Sequence, residues 1–406
     1  MDLFQKGKKI MDRPKAVLFV SSQLRQREIK MAQALREQGW FIGLIYYDMT
    51  PFKPDGYFDF AYEVSSAKKA HQQAQALSPR LVHVFSGAID DYVTLFCHKK
   101  IAPVVIDLND VFTPSLMSYC PERYAPTQEV LALANGFCAR DLQVKCAERY
   151  DGCKIPEQLV FYPEYCWGNL SALTSKKPKN EVHVVSVGNV SLETYGMYDC
   201  CYLELVKRFI DQGIHFHIYP PWHYRKDYAN NSPANFQKDY AQFLELEKNS
   251  PYLHIHDSLP ADQLITALRQ YDFGVISGGF EGFGQRYTHF KPAYVRSCYS
   301  GRITDYLDAG LPILINEEVV FDHWLLKRHG VCLDLKDVLK PGFKQKLQVM
   351  KQNAALKSQV EATTKKLSIR NNGSRLGKFY SAIMQNNPIS NYKSLKPDSI
   401  FRKLAQ

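Results

Sequence analysis

The chain has 406 residues, 45% of them hydrophobic and 23% charged, with a formal net charge of +10. At roughly 150 residues per domain that length predicts two or three domains, and the composition excludes a disordered, collagen-like or low-complexity chain. No apolar run approaches the roughly 18 residues needed to span a bilayer, and the first ten residues lack the apolar stretch of a secretory signal, so the expected placement is cytoplasmic.

From Lys15 the chain reads strand, turn, helix. Ala16 to Val20 is apolar, Ser21-Ser22 punctuates, and Leu24 to Gln38 carries Leu24, Met31 and Leu35 at helical spacing before Gly39. Trp40 to Tyr47, Leu81 to Phe85 and Val104 to Asp107 follow as buried strands with a helical stretch ending near Lys99-Lys100. A helix over Gln128 to Asn135, a short strand over Gly136 to Ala139 and the strand Val160 to Tyr162 complete a first α/β series. Residues 171–180 are polar and aperiodic, which predicts a linker.

A second series then begins. Val182 to Val187 is a strand ending at Gly188, Tyr202 to Gln212 a helix stopped by Gly213, and His215 to Tyr219 a strand. Tyr252 to His256, Ala261 to Gln270, Phe273 to Ile276, Gly301 to Ala309 and Pro312 to Ile315 continue the alternation. Strand–helix alternation implies parallel sheets covered by helices on both faces. The predicted fold class is therefore α/β, with two Rossmann-like doubly wound domains, 12–170 and 181–340, facing each other across a cleft. Residues 341–406 hold thirteen Lys or Arg against Glu361 and Asp398, which predicts a basic, mostly helical tail suited to an anionic surface such as phospholipid headgroups.

The ten cysteines show no C-x-x-C spacing, and the pairs His215/His217 and His254/His256 alternate as ordinary strand residues do, so no metal site is expected. The tail's few aromatics stand mostly apart from its Lys-rich run, which argues against nucleic acid as a partner. Neither G-x-G-x-x-G after the first strand nor G-x-x-x-x-G-K-[ST] is present, which argues against a nicotinamide dehydrogenase and a P-loop hydrolase.

The segment from Ser300 to Ile313, Ser-Gly-Arg-Ile-Thr-Asp-Tyr-Leu-Asp-Ala-Gly-Leu-Pro-Ile, is the most informative. Ser300 suits a helix cap, Gly301 lets a ligand approach the backbone, and Arg302 adds a charged fork matching phosphate oxygens at the helix start. Asp305, one turn in, is placed to accept from a vicinal diol. These features together describe a pocket for a nucleoside diphosphate.

This stretch resembles the donor-binding signature of GT-B-fold glycosyltransferases of the family-4 type (glycosyl transferases group 1). Arg302 stands at that family's Lys, Asp305 at its Glu, and Tyr306, Gly310 and Pro312 match directly. Gly188 after the first strand of the second domain and the strand-then-Leu259-Pro260 segment follow the same order. The resemblance implies a donor site of Gly188, Leu259, Ser300, Gly301, Arg302, Asp305 and Tyr306. It also implies an acceptor side of Ser21, Ser22, Asn109 and Asp110, and catalytic contributions from Arg302, Asp305, Glu281 and Asp110. The implied activity is transfer of a sugar from a nucleotide-diphosphate sugar to a glycan, lipid-linked or other hydroxyl acceptor. It is expected to be retaining, free of any cofactor and, in the absence of an Asp-x-Asp pair, metal-independent. The family's usual basic residue after that first strand is missing, and Asp replaces Glu at 305 and Asn replaces His at 109. A non-catalytic scaffold of GT-B shape and a UDP-sugar epimerase of the same architecture are the alternatives.

Overall fold

A computed structural model of the chain describes residues 3–47, 54, 56–118, 120–168, 180–188, 190, 201–221, 224, 233–277 and 291–387. The chain forms two compact units, one of residues 1–165 with 368–406 and the other of residues 166–367.

The first unit is built on a seven-stranded parallel sheet. Its strands are β1 (Ala16–Ser21), β2 (Phe41–Tyr47), β3 (Phe60–Val64), β4 (Val82–Ser86), β5 (Val104–Leu108), β6 (Gly136–Ala139) and β7 (Leu159–Phe161), in the order β3-β2-β1-β4-β5-β6-β7. The second holds a six-stranded parallel sheet of β8 (His183–Val187), β9 (His215–Tyr219), β10 (Leu253–Ile255), β11 (Phe273–Ile276), β12 (Ile313–Ile315) and β13 (Cys332–Asp334), in the order β10-β9-β8-β11-β12-β13. Central strands such as Ala-Val-Leu-Phe-Val-Ser in β1 are buried along their whole length, as helix-covered parallel strands must be. Strand order reverses between β1 and β4 in one sheet and between β8 and β11 in the other. Beyond the carboxyl ends of such strand pairs open α/β sheets leave a crevice for ligands.

Of the predicted tail 341–406, the described residues 341–387 do not stand apart as a tail. The helices Phe343–Lys351 and Ala354–Lys366 belong to the second unit, and Ile369–Met384 belongs to the first. That last helix buries Ile369, Leu376, Phe379, Tyr380 and Ile383. Gly373 and Gly377 let it approach closely: a Cβ at Gly373 would stand 2.6 Å from the Ala34 carbonyl oxygen, and one at Gly377 2.7 Å from Trp40 Nε1. Even its charge is used internally, since Arg375 donates to the Tyr165 hydroxyl at 2.7 Å and to the Phe161 carbonyl at 2.9 Å. The basic composition was read correctly, but its apolar face makes this helix part of a core. Among the described residues no helix is long and apolar enough to cross a membrane.

Candidate functional site

On the second sheet the reversal point lies at the carboxyl end of β8, where Gly188 turns at φ +85° and donates its N–H to the Tyr219 carbonyl at 2.9 Å. The helix Arg302–Asp308 aims Arg302 at this turn: a Cβ on Gly188 would lie 3.5 Å from Arg302 Nε and 3.6 Å from Nη2. A glycine is required for the positive φ, and its bare Cα leaves the guanidinium lying along the backbone. The sequence reading named both residues for the donor, and the fold brings them together. The charge of Arg302 also reaches the buried phenols of Tyr240 and Tyr306, opposing the burial that pushes both upward. Leu259 is half-buried in the loop that leaves the carboxyl end of β10, and Asp305 is half-exposed on the first turn of its helix.

Two donor assignments change. Tyr306 is fully buried, and its hydroxyl donates to the Val275 carbonyl at 3.1 Å while accepting from the Val187 N–H at 3.1 Å. It ties β8 to β11 beneath the turn and has no face left for a ligand. The Ser300 N–H, expected to point at an anion, donates instead to Asp322 Oδ2 at 3.0 Å. The N–H groups of Ile303 and Thr304 bond to the Ser300 and Gly301 carbonyls, each at 3.1 Å, whereas that of Gly301 has no partner among the described residues. The anion-facing part of this turn therefore narrows to Gly301 and Arg302. Glu281 lies outside the described residues.

At the carboxyl ends of the first sheet, Asn109 and Asp110 follow β5 and are half-exposed, their N–H groups donating to the Ser86 and Gly87 carbonyls at 3.0 Å each. Arg140, just past β6, donates to Asn109 Oδ1 and is held protonated by Asp141, Glu164 and Asp110 against its burial. Ser22 donates to Ser86 Oγ at 3.3 Å, and Arg25 lies over Gly87, where a Cβ would meet its Nη2 at 2.8 Å. Arg25 and Arg140 thus frame the edge that carries Ser22, Asn109 and Asp110. Arg140 was missed because it follows β6, and nothing local says that its side chain meets Asn109 across the sheet edge. Ser21 does not belong here: it is fully buried and its hydroxyl donates to Glu28 Oε1 at 3.1 Å.

Glu28 itself is buried, with Oε2 accepting from the Arg25 N–H at 3.2 Å, and burial pushes its carboxyl up to about 7 against the pull of Arg25. A carboxyl raised in the folded state stabilises the protein fully below its unfolded value near 4.5, and that contribution disappears as pH rises through 7. Glu28→Gln removes the titration. Its stability relative to wild type should rise between pH 5.5 and 8.5, by about 2 kcal/mol in thermal or urea unfolding. An offset that stays constant over that range would show that Glu28 does not titrate there.

Behind this edge, Arg27 reaches across three strands. It donates to Asp107 Oδ2 from Nε at 3.0 Å and from Nη2 at 2.7 Å, and to the Tyr162 carbonyl at 2.7 Å. His83, Asp107 and Cys138 converge closely enough to ligate an ion, but the Arg27 guanidinium occupies that place and supplies the positive charge.

No protein-family model matches this sequence, and no curated protein matches it. Solved structures do. The E. coli trehalose-6-phosphate protein bound with UDP-2-fluoro glucose aligns over 92% of this chain and 100% of its own at a TM-score of 0.59 and 11% identity. Sucrose-phosphate synthase from Thermosynechococcus elongatus aligns over 92% and 100%, with a TM-score of 0.60 and 11% identity. An alpha-glucosyltransferase in complex with UDP and a 13-mer DNA aligns over 91% and 98%, with a TM-score of 0.56 and 13% identity. With its parallel sheets of seven and six strands and nearly end-to-end alignment to these enzymes, the chain has the GT-B fold of the glycosyltransferases.

Proposed function

We propose that the chain is a glycosyltransferase that takes a sugar from a nucleotide-diphosphate donor held by the second unit and passes it to a hydroxyl acceptor held by the first. The observation that carries this reading is the Arg302 guanidinium laid against the Gly188 turn at the reversal point of the second sheet. As the anomeric C–O bond breaks, its electron pair leaves with the diphosphate, and the fixed charge of Arg302 with the Gly301 N–H stabilises that leaving group. No metal is needed for this step. Asp305 accepts from the ribose diol, Leu259 packs beside the donor, and Glu281 lies near the transferred sugar. On the acceptor side Asp110 and Asn109, the latter oriented by Arg140, receive the attacking hydroxyl together with Ser22. The reaction is retaining, and the acceptor is a glycan or lipid-linked hydroxyl. The enzyme works in the cytoplasm, and the exposed Lys346, Lys357, Lys365 and Lys366 meet anionic headgroups.

The reading is tested by thermal-shift and calorimetric titration of UDP, GDP, ADP, CMP and NAD. One nucleoside diphosphate should bind, stabilising the protein by about 2.7 kcal/mol at a hundredfold excess over its Kd. Arg302→Ala should weaken that binding at least about tenfold while leaving the ligand-free melting temperature unchanged. Binding by none of the five would leave a GT-B-shaped scaffold without a donor site.

A further inference from the structure

The first unit repeats, at its own sheet reversal, the arrangement seen at the candidate donor turn. Gly87 directly follows β4, beside the reversal between β1 and β4, and the Arg25 guanidinium lies on it: a Cβ at Gly87 would stand 2.8 Å from Arg25 Nη2 and 3.9 Å from Cζ. In the second unit a Cβ at Gly188 would stand 3.6 Å from Arg302 Nη2 and 3.8 Å from Cζ. Both arginines open a helix, Arg25 as the residue before Gln26–Arg36 and Arg302 as the first residue of Arg302–Asp308. Each therefore brings a guanidinium to the place where an open α/β sheet leaves its ligand crevice.

The charges around Arg25 are matched, and its own is not. Arg27 pairs with Asp107 Oδ2 at 2.7 Å and Lys30 with Glu164 Oε1 at 3.4 Å, while Arg140 lies among Asp141, Glu164 and Asp110. Arg25 forms no ion pair among the described residues, and its Nη2 donates to the neutral Gln23 Oε1 at 3.2 Å. Glu28, on the next turn, accepts from the Ser21 hydroxyl at Oε1 and from the Arg25 backbone N–H at Oε2, and burial favours its neutral form. Asp90 is spent as well, its Oδ1 accepting from the Val93 N–H at 3.0 Å and its Oδ2 from the Ser86 hydroxyl at 2.5 Å. Asn109 adds a neutral donor to the same edge: its Oδ1 accepts from Arg140, which leaves the Nδ2–H2 group without a partner among the described residues.

We propose that this crevice binds a phosphate group held by the Arg25 guanidinium, and that the acceptor of the transfer is a phosphorylated sugar, free or carried on a lipid. The acceptor role rests on the transferase reading; the phosphate site does not. A half-buried guanidinium whose neighbours have used their carboxylates takes its counter-ion from the ligand, and its planar fork fits two oxygens of one phosphate. A neutral hydroxyl acceptor would leave that charge unmatched. Asp110, one strand away, remains the carboxylate for the acceptor's attacking hydroxyl.

The test uses the full chain carrying Arg302→Ala, so that phosphate bound at the donor turn is not counted. Calorimetric titration with inorganic phosphate, against potassium chloride at equal ionic strength, should show one phosphate bound. Adding Arg25→Gln should weaken it at least about tenfold, and Arg25→Lys, which keeps the charge and loses the fork, should recover only part of that loss. Gly87→Ala probes the geometry without touching the charge: the new Cβ meets only the flexible end of Arg25, so the melting temperature should hold while phosphate affinity falls about as far as in Arg25→Lys. A hexose phosphate should bind more tightly than inorganic phosphate, and the unphosphorylated hexose at least about tenfold less tightly than its phosphate. A short-chain prenyl diphosphohexose that outbinds the hexose phosphate assigns the phosphate to a lipid carrier, and the reverse order assigns it to a free sugar phosphate; both orders support the proposal. With Arg302 in place, Arg25→Gln should raise the KM for the phosphorylated acceptor and leave nucleoside diphosphate affinity unchanged. No phosphate binding, phosphate binding that Arg25→Gln leaves unchanged, or a neutral hexose that binds as tightly as its phosphate overturns the site. Phosphate bound through Arg25 in a protein that takes up no nucleotide would instead overturn the transferase reading and leave the site standing.

Discussion

Replacing Asp107 by Ala destabilises the first unit by about 3–5 kcal/mol, because it strands the Arg27 guanidinium in a buried site. Arg27 and Asp107 side chains are only 7% and 4% exposed, so neither gains much from water when its partner is removed. Asp107 Oδ2 accepts both the Nε–H and the Nη2–H of Arg27, and Nη1 is buried with no partner among the described residues, so little slack remains for rearrangement. The pair joins β5 to the helix Gln26–Arg36 and, through the Tyr162 carbonyl, to the end of β7. Loss of the carboxylate should therefore loosen the carboxyl edge that carries Asn109, Asp110 and Arg140. In urea unfolding the midpoint should fall accordingly, and hydrogen exchange should speed up in β5 and β7 before the second unit responds. The double change Arg27→Met with Asp107→Leu, which removes both charges together, should recover most of the loss. A single Asp107→Ala variant within about 1 kcal/mol of wild type would mean that water reaches the pair.

Asp107 also shows where sequence reading succeeds and stops. A charge inside Val-Val-Ile-Asp-Leu is a demand for a partner in any fully buried strand, yet nothing local says that the partner stands on the helix after β1. Uninterrupted apolar runs such as β1 and β8 were legible because a doubly covered strand has only one way to read. One edge of each sheet was not: β3, Phe-Ala-Tyr-Glu-Val, is half-exposed, and β13 has only three residues, so neither offers a period to count. At the candidate donor site, Gly188 and Arg302 were found through the order of elements and the chemistry of phosphate recognition, and the fold joined them. Tyr306 belonged to the same motif and was misassigned, since its ring answers to Gly274, whose role is invisible until β11 is beside the helix. The basic tail erred differently. Charges were counted over 341–406, while the stripe of Ile369, Gly373, Leu376, Gly377 and Tyr380 was present at helical spacing and dictates burial.

Gly274→Ala tests the link between that packing and the donor turn. A Cβ at Gly274 would come within 2.4 Å of Cγ and Cδ2 of Tyr306, closer than any real contact, so the fully buried ring must leave its place. With it go the hydroxyl's bonds to the Val187 N–H and the Val275 carbonyl. Overpacking and two broken buried hydrogen bonds together should cost about 3–5 kcal/mol. Tyr306→Phe keeps the ring and loses only the bonds, leaving the Val187 N–H unsatisfied, and should cost about 1–3 kcal/mol. The two sites are in contact, so their effects should not add: Tyr306→Ala, severe in wild type, should be nearly silent once Ala occupies 274. The displaced ring sits one turn along the helix from Arg302 and directly under the Gly188 turn. Nucleoside diphosphate affinity should therefore fall in Gly274→Ala well before the protein unfolds, whereas Gly43→Ala, an equally tight glycine against Phe60 in the first unit, should lower stability and leave that affinity alone. Equal losses of affinity in the two variants would break the connection drawn between Tyr306 and the donor turn, and unchanged stability in Gly274→Ala would contradict the packing itself.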